Sequence, residues 1–219
     1  MNRLAVFDCD GTLVDSQANI CRAMEACFVA SRLDPPDRHA IRQIVGLSLV
    51  PAIARLLPEA DAAQHAAMAE AYKQAFVAMR SNGALDPEPL FEGVAETIEA
   101  LHEAGWLLGV ATGKSDRGLH HILEHHALSH RFVTLQTADR HPSKPHPSML
   151  ELAMAEAGAA PETTAMIGDT SFDILMATAA GADPIGVAWG YHSRQELLEA
   201  GARHVVEHAR ALPGHLERS

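Results

Sequence analysis

Cysteine is scarce in this sequence of 219 residues. Cys9, Cys21 and Cys27 are an odd number in a chain too long to need covalent staples, so a disulfide framework is excluded and a reducing compartment is expected. No apolar run approaches the roughly 20 residues that a membrane span needs, although hydrophobic residues make up 47% of the chain. No cleavable signal pattern opens it, and the expectation is a soluble, cytoplasmic protein. Positive charge is also short. Seventeen Lys plus Arg face 28 Asp plus Glu, for a formal net charge of -11. That balance argues against generic nucleic-acid binding, which needs surplus cations to neutralise phosphates. Lysine is the rarest charged residue, with three copies against fourteen arginines. Internal repeats and low-complexity tracts are absent.

What is there divides unevenly. Residues 17 to 82 carry seven Lys plus Arg and six Asp plus Glu, so the remainder holds -12. A small anion would find this segment less repulsive than the rest. Its apolar spacing is helical throughout. Ile20, Ala23, Met24, Cys27 and Phe28 recur after Ser16, a plausible cap; Pro51 opens a second helix, and an alanine-rich helix runs from about Glu59 to Ser81. On either side the pattern alternates. Leu4 to Phe7, Trp106 to Ala111, Phe132 to Leu135, Thr164 to Ile167, Ile185 to Ala188 and His204 to Val206 read as strands. Helical stretches Val94 to Ala104, Gly118 to His126, Pro147 to Gly158, Ser171 to Gly181 and Gln195 to Ala200 lie between the later ones. Such alternation predicts an α/β fold, a doubly wound parallel sheet with a Rossmann-like core, interrupted by an all-helical insert. The expected boundaries are a core at 1–15 and 83–219 and an inserted helical domain at 16–82.

The first strand ends in Phe7-Asp8-Cys9-Asp10-Gly11-Thr12-Leu13-Val14-Asp15-Ser16. Residues i and i+2 of a strand share a face, so Asp8 and Asp10 can converge where the chain leaves the sheet, and Gly11 lets it turn. Two close carboxylates repel and are costly to desolvate, so the pair calls for a cation or a shared proton. Magnesium takes oxygen ligands, commonly one or two carboxylates with a substrate phosphate.

Three further strand ends are chemically loaded. Thr112-Gly113-Lys114-Ser115 offers a hydroxyl and backbone N–H groups near a helix N-terminus, as a phosphate cradle would and as an ordinary capped turn also would. Pro142-Ser143-Lys144-Pro145-His146-Pro147 stiffens the backbone around one lysine, either aiming a point charge or leaving a surface loop. Gly168-Asp169-Thr170-Ser171-Phe172-Asp173 sets two carboxylates four residues apart at a helix entrance, as site residues or as a turn and a favourable first-turn charge. Together, in this order, they are far more specific than any one alone.

These four segments make the chain resemble the haloacid dehalogenase superfamily, particularly phosphatases similar to phosphoglycolate phosphatase, over nearly its whole length. The resemblance implies an Mg2+-dependent phosphatase acting on a small phosphorylated metabolite, with 2-phosphoglycolate a candidate. It implies that Asp8 is the nucleophile that becomes an aspartyl-phosphate and that Asp10 is the acid and base. Mg2+ would be held by Asp8, the Asp10 carbonyl and Asp169, with Asp173 behind them. Thr112 and Gly113 would bind the phosphoryl group, Lys144 would screen Asp8, and the helical insert would act as a cap. Cys9 replaces a usually larger apolar residue and is expected to point into the core. Gly46-Leu47-Ser48 resembles the cap loop that faces the site; Arg55 and Lys73 are candidate contacts for a distal anion. Trp189-Gly190-Tyr191 resembles a segment of the phosphoglycolate phosphatases.

Rival readings are a sugar phosphomutase with the same core residues, a metal-independent dehalogenase, against which Asp10 argues, and a phosphate-binding protein without turnover. Fourteen histidines, among them His120, His121, His125, His126 and His130, invite a metal reading. No Cys or acidic partner completes a motif, so a surface helix with His126 turned inward is expected.

Overall fold

The computed structural model describes residues 2–217, so the outermost positions of the expected core segments, residues 1, 218 and 219, lie outside the described residues. Strand β1 (Asn2–Phe7) is followed by four helices, α1 (Gln17–Ala30), α2 (Arg38–Arg42), α3 (Leu49–Leu56) and α4 (Ala62–Ser81). The alternating part then runs α5 (Val94–Glu103), β2 (Leu107–Thr112), α6 (Asp116–His125), β3 (Thr134–Thr137), α7 (Ser148–Ala157), β4 (Ala159–Gly168), α8 (Ser171–Ala180), β5 (Asp183–Val187), α9 (Arg194–Glu199), β6 (His204–Val206) and α10 (Leu212–Leu216). All six strands are parallel, in the order β3-β2-β1-β4-β5-β6.

The central strand shows why the sheet is buried on both faces. Side chains alternate along β1. Leu4 and Val6 pack with Met149, Leu150 and Ala153 of α7 and Met176 of α8. Ala5 and Phe7 pack on the other face with Val94, Ile98 and Leu101 of α5 and Leu119 of α6. A run of consecutive apolar residues is what such double coverage requires. Left-handed glycines close two helices, Gly158 (φ 60°) after α7 and Gly181 (φ 75°) after α8.

Helices α1 to α4 build an apolar cluster of their own, centred on Met24, Cys27, Phe28, Ile41, Ile53 and Met68. Phe172 of α8 joins it from the sheet side. The three cysteines are buried and free. Among the described residues, no helix is long and apolar enough to cross a membrane.

Several boundaries differ from the periodicity. The alanine-rich helix starts at Ala62, three residues late, because Asp61 caps it by accepting from the Gln64 N–H at 2.8 Å. Strand β4 begins five residues early, at Ala159, with a register shift against β1. Ser16 stands at the N-cap position of α1, but its hydroxyl makes no cap bond. It is committed to the site instead.

Position in these layers predicts stability. Leu101 is fully buried and Leu152 of α7 is 40% exposed. Leu101→Ala should lower unfolding free energy by about 2–5 kcal/mol, whereas Leu152→Ala should change it by no more than about 0.5 kcal/mol. Chemical denaturation of the two variants measures the difference.

Candidate active site

The sheet gathers its polar residues at the carboxyl ends of β1, β2 and β4, where strand order reverses around β1. Asp8 extends β1 by one residue, donating its N–H to Ile167 O at 2.9 Å. The chain then folds back. Leu13 and Val14 donate to Cys9 O, and Gly11 donates to Val14 O. Gly11 has φ 85°, and a Cβ there would overlap the Asp169 carboxylate and approach Tyr191 Cε2 to 2.6 Å. Only glycine satisfies both demands. Asp169 is fixed through both oxygens: Thr12 Oγ1 donates to Oδ1 at 2.8 Å and the Tyr191 N–H donates to Oδ2 at 2.9 Å. Trp189 donates its ring N–H to Thr12 O at 3.1 Å.

Lys144 reaches the same place from the loop before α7. Its Nζ lies 2.8 Å from Asp8 Oδ1 and donates to Asp173 Oδ1 at 2.6 Å. Asp173 turns its other oxygen back on its own helix entrance, where Oδ2 accepts from the N–H (3.1 Å) and the hydroxyl (2.8 Å) of Thr170. Asp8, Asp169, Asp173 and Lys144 are all buried. Burial holds Lys144 down, yet the Asp173 and Asp8 carboxylates outweigh it and keep the ammonium well above its ordinary value. For Asp8 and Asp169 burial prevails. Burial first, then the charges of Asp173 and Asp10, push Asp8 up to about 7 against the pull of Lys144. Burial, then Asp8 and Asp173, raise Asp169.

A hard divalent cation fits this cluster. One oxygen from each of Asp8, Asp169 and Asp173 lies within 4.8 Å of the others. Fully ionised, three carboxylates against one ammonium would carry a charge of -2. Both Asp8 oxygens are buried; Oδ1 faces only the Lys144 ammonium at 2.8 Å and Oδ2 has no donor. Uncompensated buried charge of this kind is expensive, and an all-oxygen donor set suits Mg2+.

Asp10 occupies the neighbouring position. Its Oδ1 accepts from Lys114 Nζ at 2.5 Å and from the Ser16 hydroxyl, and Ser16 Oγ is 3.4 Å from the Tyr191 hydroxyl. Thr112 ends β2, its Oγ1 accepting from the Lys114 N–H at 3.2 Å. Gly113 lies under the helical layer, where a Cβ would come 2.6 Å from Leu47 O and 2.8 Å from Gly46 O. Ser48 N–H donates to Ser143 Oγ at 2.9 Å, a second tie between the layers. Between them lies a cavity of about 480 Å3 with Asp8, Asp10, Thr112, Gly113 and Lys114 on one side and Gly46 to Ala52, Tyr72 and Phe76 on the other.

The structure thus brings Asp8, Asp10, Thr112, Gly113 and Gly46 to one cavity, with Lys144, Asp169 and Asp173 buried beside Asp8. It does not bring Arg55 there. The Arg55 guanidinium stacks 4.7 Å over the Phe172 ring and lines a separate depression with Gln43 and His192, because the apolar cluster turns that face of α3 away from the carboxylates. Lys73 lines the rim, but its ammonium is exposed and paired with Glu70 at 2.6 Å. His120, His121 and His125 lie on the exposed face of α6, while His126 is half-buried and its Nε2 is 2.8 Å from Glu88 O.

Sequence reasoning missed Lys114 as the partner of Asp10, Ser16 as a second donor, and Thr12 and Tyr191 as the clamps on Asp169. The rarity of lysine was a signal for the first. Ser16 lies six residues from Asp10 but is committed to it rather than to its helix, and the clamps on Asp169 come from 157 and 22 residues away in the chain.

The chain belongs to the haloacid dehalogenase-like hydrolase family, whose model matches residues 5–187. It is 38% identical to the probable phosphatase IndB of Dickeya dadantii, over 94% of this chain and 90% of that protein. It is 29% identical to phosphoglycolate phosphatase 1 of Pseudomonas aeruginosa, over 96% and 78% of the two chains. The crystal structure of a predicted phosphatase from Clostridium acetobutylicum superposes with a TM-score of 0.89 at 24% identity, covering all of both chains.

The raised acids have a pH signature. Asp8 ordinarily titrates near 3.8 and is pushed to about 7 in the fold. Between those values the native state binds more protons than the unfolded chain, so stability falls as pH rises through that window and stays reduced above it. Asp8→Asn removes the penalty. In chelator, the melting temperature of this variant should exceed that of the wild type by an amount that grows from pH 4 to pH 7, and added Mg2+ should narrow the gap at pH 7. Thermal unfolding across pH checks this.

Proposed function

We propose that this protein is a Mg2+-dependent phosphatase of small phosphorylated metabolites that works through a phosphorylated Asp8. One observation carries the proposal. Asp8, buried, with Oδ1 facing the Lys144 ammonium and Oδ2 without a donor, borders a cavity that Asp10, Thr112 and Gly113 also line. An oxygen held without a donor keeps its lone pairs for attack.

In this reading Asp8 attacks phosphorus in line; the bond to Asp8 forms as the ester P–O bond breaks, and Asp10 gives a proton to the leaving oxygen. Asp10 then takes a proton from water, which attacks the phosphorylated Asp8 and releases inorganic phosphate. Both bonds to Asp10 fall on Oδ1, which leaves Oδ2 for these transfers. Thr112 and the Gly113 N–H hold phosphoryl oxygens. Lys144, anchored by Asp173, offsets the repulsion between Asp8 and an anionic substrate. Asp8, Asp169 and the Asp10 carbonyl would hold Mg2+, which supplies charge neutralisation at the phosphoryl oxygens. The core comprises residues 1–15 and 83–219, and residues 16–82 form a cap that shields the reaction from water. Gly46 belongs to this cap where it meets Gly113, and Lys73 stands at its rim.

A panel of phosphate monoesters including 2-phosphoglycolate, assayed for phosphate release with Mg2+ and with chelator, tests the proposal. Release should require the metal, and Asp8→Asn should lower kcat by at least about a thousandfold while remaining folded. No release from any ester, or an isomerised sugar phosphate in place of free phosphate, would overturn it.

A further inference from the structure

The cavity holds more room than a two-carbon leaving group needs. Its volume is about 480 Å3, whereas a pocket of about 150 Å3 already holds a benzene ring. Beyond the catalytic groups one part of its wall is apolar, with Ile44 and Leu49 from the segment around α3, Tyr72 and Phe76 from α4, and Ile122 from α6, while Arg80, Glu88, Arg117 and His121 line it elsewhere. The Tyr72 and Phe76 rings lie 5.5 Å apart, tilted by 45°. They form a face against which a flat group can stack. At the mouth, Val50 and Val77 are 42% and 49% exposed, an apolar rim open to solvent.

Three lysines near the reacting centre are engaged, while Arg117 of α6 and Arg80 of α4 also line the cavity. Lys114 is paired with Asp10, Lys144 is paired with Asp8 and Asp173, and Lys73 is turned to Glu70. Arg80 sits two turns of α4 beyond Tyr72, and its Nε is buried without a hydrogen-bond partner. Burying an unpaired carboxylate against Ile44, Leu49 and Phe76 would be costly, whereas an uncharged ring or branched hydrocarbon gains by leaving water there.

We infer that the substrates are phosphomonoesters whose leaving alcohol carries a bulky, uncharged, largely apolar or ring-containing body seated between the Tyr72–Phe76 face and α6. This deepens the proposed phosphatase reading and rests on it for turnover. Phe76 is then a specificity-determining residue.

Binding separates this inference from the catalytic reading. Calorimetric titration of the full chain with Mg2+ present would compare benzylphosphonate with phosphonoacetate, two stable probes that share the phosphonate and differ in the attached body. Benzylphosphonate should bind at least about tenfold more tightly, and Phe76→Ala should erase most of that advantage without weakening phosphonoacetate. In steady-state assays, the same variant should raise KM for aryl phosphates about tenfold with kcat little changed. Equal binding of the two probes, tighter binding of phosphonoacetate, or an unchanged ranking in a folded Phe76→Ala variant would overturn the inference even if phosphate is released. Ranked binding without phosphate release would sustain it and defeat the catalytic reading alone.

Discussion

The site is organised around one buried ammonium group shared by two carboxylates. Lys144 Nζ stands between Asp8 and Asp173, and each contact limits what the others can be. With Asp173 bound to both Lys144 and Thr170, the entrance of α8 is tied to the loop before α7. With Asp8 paired to the same nitrogen, the end of β1 is tied to both. Removing the ammonium would leave three carboxylates crowded in a dry space, a state that proteins avoid by protonation, by cation binding or by unfolding. The raised Asp8 and Asp169 are two expressions of this incomplete compensation.

Around that cluster the backbone is packed to the limit of what glycine permits. Gly11 and Gly190 let two loops close on Asp169, and Gly168 leaves room for Asp173 to fold back beneath it. The two clamps on Asp169 come from the turn after β1 and the loop after β5. An acid supported from both sides keeps its geometry when a ligand arrives, which is the preorganisation on which electrostatic stabilisation depends. Asp10 is kept separate from the cluster by its own lysine, so two neighbouring acids meet different surroundings and can serve different ends.

The helical layer contributes much of the cavity's shape, with Lys73 and Arg80 of α4 on its wall. Its contacts with the core run through backbone carbonyls over Gly113, the Ser48–Ser143 bond and the packing of Phe172 into the helical cluster. None of these uses a catalytic side chain. The chemistry can therefore stay constant while α3 and α4 change what the cavity accepts, and here the accepting wall is aromatic and aliphatic.

Much of this was legible from residue order. The consecutive apolar residues of β1, the glycine stops of α7 and α8 and the alternation after residue 83 predict the parallel sheet because each reflects a local preference or a periodic burial. The acids at the strand ends were visible because parallel sheets direct ligands to those ends. Boundaries slipped where a side chain found an unexpected partner, as at Asp61 and Ser16. Arg55 could not be placed from spacing, since its direction is set by Phe172, more than a hundred residues away. By itself the sequence determined the fold class, the family and the kinds of residue at each strand end. Only the tertiary structure decided which lysine meets which aspartate, what clamps Asp169 and how apolar the cavity is. Those outcomes depend on contacts between distant segments, which local propensity and periodicity do not encode.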